Sequence, residues 1–189
     1  MEGRLYVIGM GPGSGEMMTP QAARALEQCQ VIAGYTVYVE LLKERYPKAE
    51  FLTTPMTREE ERCRMALERA AQGDITAMVC SGDAGVYGMA GLILELAQEY
   101  PDVAVEIIPG ITAACAGAAV LGAPLMHDFA VISLSDRLTD LELIWKRVEL
   151  AAQGDFVICL YNPASRTRKD YLAQACRIIG QYRSPQTVC

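Results

Sequence analysis

Short apolar runs alternate with amphipathic segments along most of the chain. Runs typical of buried strands lie at 5–8, 31–33, 51–53, 75–80, 103–108, 129–134 and 155–160. Segments with helical spacing or helix boundary residues lie at 19–29, 37–45, 57–73, 89–100, 112–120, 139–152 and 167–181. Strands that alternate with helices in this way predict an α/β fold with a parallel sheet and right-handed crossovers.

Two helix starts have specific signals. Thr19 and Pro20 place a capping hydroxyl before a proline at the first helical position. Thr57 and Glu60 have the spacing of a capping box. The arginines at the start of that third helix, among them Arg62, are expected on an exposed helix face.

The alternation is interrupted by the segment at 121–125, which contains glycine and proline. We therefore predict an N-terminal α/β domain over 1–121 and a C-terminal α/β domain over 126–189. The second domain has two clear strands and a strand beginning at 186–189, which is few for a sheet. It therefore looks incomplete.

Composition excludes several classes of function. A hydrophobic content of 51% and a mean hydropathy of +0.14 indicate a well-buried globular protein. No apolar run reaches membrane-spanning length and the N-terminus resembles no signal peptide, so a cytoplasmic protein is expected. The seven cysteines include no C-x-x-C pair and indicate reduced core residues. A net charge of −6 argues against nucleic-acid binding, and an anionic ligand would require a local basic patch.

Two glycine-rich stretches, 9–15 and 81–90, follow predicted strands. Ligands of open α/β sheets bind at the carboxyl ends of the strands, where glycine permits close approach of the backbone. Asp83 could accept hydrogen bonds from such a ligand. The alternative is a plain turn in which Asp83 caps the next helix.

The first glycine stretch does not fit a dinucleotide site. Counting from Gly9 and Gly11, the third glycine of the fingerprint is replaced by Ser14, and Pro12 has no N–H for a pyrophosphate. No acidic residue directly follows the second strand, and no Gly-Lys-Ser/Thr sequence is present. A nicotinamide-linked oxidoreductase is therefore not expected.

Three motifs in order resemble the tetrapyrrole methylase family, whose members use S-adenosylmethionine. They are Gly9-Met10-Gly11-Pro12-Gly13, Ser81-Gly82-Asp83 and Pro109-Gly110-Ile111-Thr112-Ala113. Four further stretches are similar to the branch that methylates C-17 of precorrin-3B or its cobalt form: 81–90, 125–129, 133–136 and 160–166. Many family members have Gly-Asp-Pro in the central loop, whereas Gly82-Asp83-Ala84 resembles the C-17 branch.

The resemblance implies an enzyme with two α/β domains, a cofactor cleft between them and a homodimeric assembly. Family members continue through further strands, so the second domain is expected to be truncated. The expected activity is methyl transfer to C-17 of a tetrapyrrole with ring contraction to the precorrin-4 level, releasing S-adenosylhomocysteine. The residues implied for cofactor binding are Pro12, Gly82, Asp83, Val86, Thr112, Ala113, Tyr161 and Asn162.

Further candidates concern the substrate and proton transfer. Ring contraction needs a general acid or base, for which His127, the only histidine, and Asp83 are candidates. His127 could equally be a packing residue. Arg166 and Arg168 are candidates for binding the carboxylates of the substrate, because the planar guanidinium group pairs well with a carboxylate. Alternatively, both arginines lie on a solvated first turn of a helix.

The sequence leaves two other functions open. One is methylation of another carbon of a precorrin or uroporphyrinogen-type ring. The other is a fragment that binds tetrapyrrole or cofactor without catalysis. No metal site is expected in the protein, and sequence does not decide whether the macrocycle carries cobalt.

Overall fold

The structure, a computed structural model, describes residues 3–55, 57–165 and 168–189. The chain divides into two compact units, Met1–Ala116 and Gly117–Cys189. The division falls a few residues before the boundary at 121–126 expected from sequence.

The first unit contains a five-stranded parallel sheet. Its strands are β1 (Gly3–Gly9), β2 (Val31–Tyr35), β3 (Glu50–Thr54), β4 (Ile75–Cys80) and β5 (Val103–Ile108). They are ordered β3-β2-β4-β1-β5. Its helices are α1 (Pro20–Gln28), α2 (Thr36–Lys43), α3 (Glu59–Ala71) and α4 (Ala90–Leu96), with 3₁₀ turns at Gly15–Met17 and Ala97–Glu99. Helix α5 (Ala113–Leu121) begins in the first unit and ends in the second. The predicted α/β class is confirmed.

Helices cover both faces of this sheet, which explains the uninterrupted apolar runs of its central strands. On one face Ile8 and Ile32 pack with Leu26 of α1. On the other face Leu5 and Met78 pack with residues of α3 and α4 that include Leu67 and Ile93.

The second unit contains two parallel strands, β6 (Phe129–Ser133) and β7 (Val157–Tyr161). Its helices are α6 (Leu141–Gln153) and α7 (Tyr171–Ile179). The side chains of Ile132, Leu134, Ile144, Val148 and Ala175 form its core.

Local signals had different outcomes. Thr19 caps α1 as predicted, because its hydroxyl accepts from the N–H of Ala22 at 3.1 Å. The capping box at Thr57 is wrong, because Thr57 has a φ of 78° and α3 begins at Glu59. The predicted strand at 186–189 does not form. A strand requires a partner for its backbone groups, and none of the described strands pairs with this segment.

Two further findings concern membrane-spanning helices and disulfides. Among the residues that the structure describes, no helix is both long and apolar enough to cross a membrane. The seven cysteines all lie in the described residues, and none of them forms a disulfide.

Candidate functional site

The loops after β1 and β4 are joined by backbone hydrogen bonds at the carboxyl edge of the first sheet. The N–H of Gly11 donates to the carbonyl of Gly82 at 3.0 Å, and the N–H of Gly82 donates to the carbonyl of Gly11 at 2.8 Å. One residue earlier, the N–H of Met10 donates to the carbonyl of Cys80 at 2.9 Å. The two glycine-rich stretches are therefore held side by side.

Three glycines bring the loop after β5 to the same place. We call Gly9, Gly82 and Gly110 the glycine cluster. A Cβ on Gly110 would lie 2.1 Å from the carbonyl oxygen of Gly82, and a Cβ on Gly9 would lie 2.7 Å from that oxygen. Gly82 itself has a φ of +69°, which side-chain-bearing residues rarely adopt. The three strand ends thus pack backbone against backbone.

The carboxylate of Asp83 joins two of these loops. Its Oδ1 accepts from the N–H groups of Gly85 at 2.8 Å and Val86 at 3.1 Å, and its Oδ2 accepts from the N–H of Gly110 at 2.9 Å. Both oxygens are therefore engaged within the protein. The sequence predicts a ligand contact or a helix cap here, and the structure shows in addition that Asp83 braces two loops.

Other predicted cofactor residues surround this brace. Pro12 is exposed beside the Gly11–Gly82 bridge, and Val86 is half-buried. The Cα of Thr112 lies 3.6 Å from where a Cβ of Gly82 would stand, and the N of Ala113 lies 3.7 Å from it. Predicted residues from three separate loops therefore meet at one edge of the sheet.

Tyr87 is a feature that sequence reasoning missed. It lies in the loop between β4 and α4, is 51% exposed and has a φ of 53°. A bulky residue in this region is strained, and strained residues concentrate at functional sites. No sequence signal distinguishes Tyr87, because an ordinary turn could carry the same residue between Gly85 and Gly88.

In the second unit, Tyr161 and Asn162 stand at the carboxyl end of β7. The carbonyl of Tyr161 accepts from the N–H of Leu134 at 2.9 Å. Asn162 has a φ of 50°, and its Nδ2 donates to Oγ of Ser133 at 3.0 Å. These bonds connect the ends of β6 and β7 and fix the positions of both predicted residues.

The side chain of Arg168 is 13% exposed and is committed to internal contacts. Its Nε donates to Oγ of Ser165 at 3.1 Å, and its Nη1 donates to the carbonyl of Leu134 at 3.3 Å. Its Nε also lies 3.8 Å from Oδ1 of Asp136. Arg168 thus positions the loop that follows β7, while the other predicted substrate residue, Arg166, lies outside the described residues.

Asp136 also contacts a tyrosine of α7. The hydroxyl of Tyr171 donates to Oδ2 of Asp136 at 2.8 Å. That hydrogen bond, more than burial, raises the pKa of Tyr171 above its usual value, because it favours the protonated phenol.

His127 is exposed in the segment before β6. Within the described residues its ring has no hydrogen-bond partner. The same part of the chain shows no group of three or more His, Cys, Asp or Glu side chains that could hold a metal ion.

Comparison with known families gives residues 4–189 as a match to the Tetrapyrrole (Corrin/Porphyrin) Methylases. The chain belongs to the tetrapyrrole methylase family. The predicted resemblance is thereby confirmed, and the glycine cluster is the core of a candidate site in a methylase.

Curated relatives of this methylase include enzymes of the C-17 branch. A probable cobalt-factor III C(17)-methyltransferase from Salmonella typhimurium is 50% identical over 97% of this chain and 76% of its own length. A precorrin-3B C(17)-methyltransferase from a Sinorhizobium species is 43% identical over 95% of this chain and 72% of its own.

Solved structures agree with this assignment. The crystal structure of the methyltransferase CobJ has a TM-score of 0.90 and 38% identity, covering 97% of this chain and 77% of CobJ. A uroporphyrin-III C-methyl transferase from Thermus thermophilus, complexed with S-adenosylhomocysteine, has a TM-score of 0.68 at 23% identity, covering 97% of this chain and 75% of its own. The second likeness supports the fold alone.

Proposed function

We propose that this methylase transfers a methyl group to C-17 of a precorrin-3B-type macrocycle, metal-free or carrying cobalt, with ring contraction to the precorrin-4 level. The observation that carries the proposal is 50% identity to a cobalt-factor III C(17)-methyltransferase over nearly the whole chain. The motifs at 81–90 and 160–166, which distinguish this branch in sequence, support the same choice of carbon.

The proposed methyl donor is S-adenosylmethionine, which supplies an electrophilic methyl group on a sulfonium. The residues present suit such a molecule. Pro12, Thr112 and Ala113 are exposed or half-exposed around the glycine cluster, which has no side chain to obstruct a ligand. Backbone groups at strand ends can bind its adenosine and methionine parts, and Asp83 holds two of the loops in place for that task.

The protein has little covalent chemistry to perform in this reaction. Its residues must hold the nucleophilic ring carbon in line with the methyl group, and orientation of this kind can supply about 7–11 kcal/mol. Ring contraction also requires proton transfer, for which we propose His127. We propose Arg166 as a contact for substrate carboxylates, a homodimeric assembly and a cytoplasmic location, all by family resemblance.

A turnover assay tests this function. The protein is incubated with S-adenosylmethionine and either precorrin-3B or its cobalt form, and the product is analysed by mass spectrometry and by NMR with a ¹³C-labelled methyl group. A new methyl carbon at C-17 is the expected result. Label at another carbon would favour a different branch of the family, and binding of S-adenosylhomocysteine without turnover would favour a non-catalytic role.

His127 is tested separately by His127→Gln. We expect this variant to bind S-adenosylhomocysteine normally and to form the contracted product more slowly. Equal rates of contraction in the two proteins would remove His127 from the proposal.

A further inference from the structure

Arg62 is buried, although its sequence context indicated an exposed helix face. It lies in the first turn of α3 and is 5% exposed. Its Nη1 donates to Oγ1 of Thr54 at 2.7 Å and to the carbonyl of the same residue at 3.3 Å. Both partners are neutral. In the described part of the chain no carboxylate lies within ion-pair distance of this guanidinium.

Two other arginines of α3 are paired with carboxylates, unlike Arg62. Arg64 pairs with Glu60 and Glu99, and Arg69 pairs with Glu50 and Asp74. Those two arginines need a counterion less, because their side chains are more exposed than Arg62. A charge taken out of water is costly unless an opposite charge accompanies it. The burial of Arg62 with neutral partners therefore leaves its positive charge without a compensating carboxylate among the described residues.

Arg62 lies at the same sheet edge as the glycine cluster. Thr54 ends β3 and Cys80 ends β4, and parallel strands end on one side of a sheet. Burial raises the pKa of the Cys80 thiol to about 11, an increase opposed by the N–H of Met89 and by the positive charge of Arg62. The positive charge of Arg62 therefore acts on Cys80, directly before the loop at 81–90.

The guanidinium retains donors for a ligand. It has five N–H groups, and Thr54 occupies only Nη1. Oγ1 of Thr76 is the single buried side-chain polar atom without a partner in the described residues, so the nitrogens of Arg62 that make no hydrogen bond keep a small contact with solvent although the residue is 5% exposed.

We propose that Arg62 binds a peripheral carboxylate of the tetrapyrrole substrate. The proposal rests on the proposed function, because precorrin-type macrocycles carry acetate and propionate side chains. The protein has a net charge of −6, so it needs fixed positive groups at the site to attract such a ligand. A guanidinium held by Thr54 is oriented in advance and suits a carboxylate.

The test measures equilibrium binding of the cobalt-loaded substrate, cobalt-factor III, in the presence of S-adenosylhomocysteine. Arg62→Gln removes the charge, and Arg62→Lys keeps it without the planar fork. Arg64→Gln is the matched control on the same helix. We expect Arg62→Gln to weaken macrocycle binding by roughly ten- to a hundredfold. Arg62→Lys should lose less, and Arg64→Gln should change the affinity less than about twofold.

Affinity for S-adenosylhomocysteine separates a substrate contact from a structural role. If Arg62 binds substrate, the affinity for S-adenosylhomocysteine stays within about twofold of wild type in both Arg62 variants. Equal losses for both ligands, or unchanged macrocycle binding in Arg62→Gln, would overturn the inference. Wild-type protein that binds no macrocycle would instead overturn the proposed function, and circular dichroism identifies any variant that has not folded.

Discussion

Replacement of Asp83 by asparagine tests whether this residue is a brace or a ligand contact. The amide offers one acceptor oxygen and two N–H donors in place of two acceptor oxygens. In its better orientation it keeps the bonds from Gly85 and Val86 and turns an N–H towards the N–H of Gly110, which now lies 2.9 Å from Oδ2. One charge-assisted bond is lost and two are weakened.

The expected cost follows from this geometry. A hydrogen bond to a charged group contributes about 1.5–3 kcal/mol, and Asp83 is only half-buried, so we expect a loss of about 2 kcal/mol. For a chain of this size that corresponds to a fall in melting temperature of about 4–8 °C. The loss should occur without any ligand, because all three bonds are internal.

Thermal unfolding of the ligand-free protein and calorimetric binding of S-adenosylhomocysteine are measured on the same samples. The control is Asp102→Asn, which changes an exposed acid next to β5 and should cost less than about 0.5 kcal/mol. A variant of Asp83 with unchanged ligand-free stability and lost affinity would refute the brace and favour a direct contact with the cofactor.

Three further predictions concern packing, thiol reactivity and pH. Gly110→Ala should destabilise the first unit by more than about 3 kcal/mol in chemical denaturation, because its Cβ would lie 2.1 Å from the carbonyl oxygen of Gly82, whereas Gly117→Ala in α5 meets nothing and should be neutral or stabilising. A thiol reagent at pH 8 should label the exposed cysteines rapidly and the buried ones only after unfolding, since burial raises the pKa of two buried thiols to about 12; fast labelling of a buried thiol would contradict this. The exposed thiols are Cys115, Cys176 and Cys189, and the buried ones are Cys29, Cys63 and Cys80. The pKa of Tyr171 is higher in the folded state, so its contribution to stability is complete below pH about 10 and is lost as pH rises through the folded pKa. Tyr171→Phe should therefore flatten the alkaline decline of the melting temperature, and an identical decline in both proteins would contradict the assignment.

Local sequence patterns predicted the elements well where burial dominates. The runs that became β1 and β4 are apolar on both faces because helices cover both sides of the central sheet. Such runs are recognisable without knowledge of the partner strands. The helix start at Thr19 was equally predictable, since its cap involves residues three positions apart.

Predictions failed where a distant contact decides the geometry. Thr57 has a capping-box sequence, yet the turn before α3 is held by the hydroxyl of Thr54, which donates to the carbonyl of Arg58 at 3.2 Å. Arg62 was expected on an exposed face because arginine usually is exposed. Its burial depends on Thr54, eight positions earlier on a strand.

The candidate site was predicted as a set of positions and not as a set of interactions. The motifs placed Gly82 and Asp83 at a strand end, where the structure has them. The bond from Gly110 to Asp83 spans 27 positions, and no local pattern encodes it. Asp83 was therefore predicted as a site residue, but its hydrogen bond with Gly110 could not be predicted.

The glycine cluster has a consequence for the thermodynamics of ligand capture. The loops after β1, β4 and β5 are joined through their backbones before any ligand arrives, so their ordering entropy is a cost of folding and not of binding. For the proposed cofactor site, binding enthalpy and entropy measured with S-adenosylhomocysteine should then resemble those of a rigid receptor.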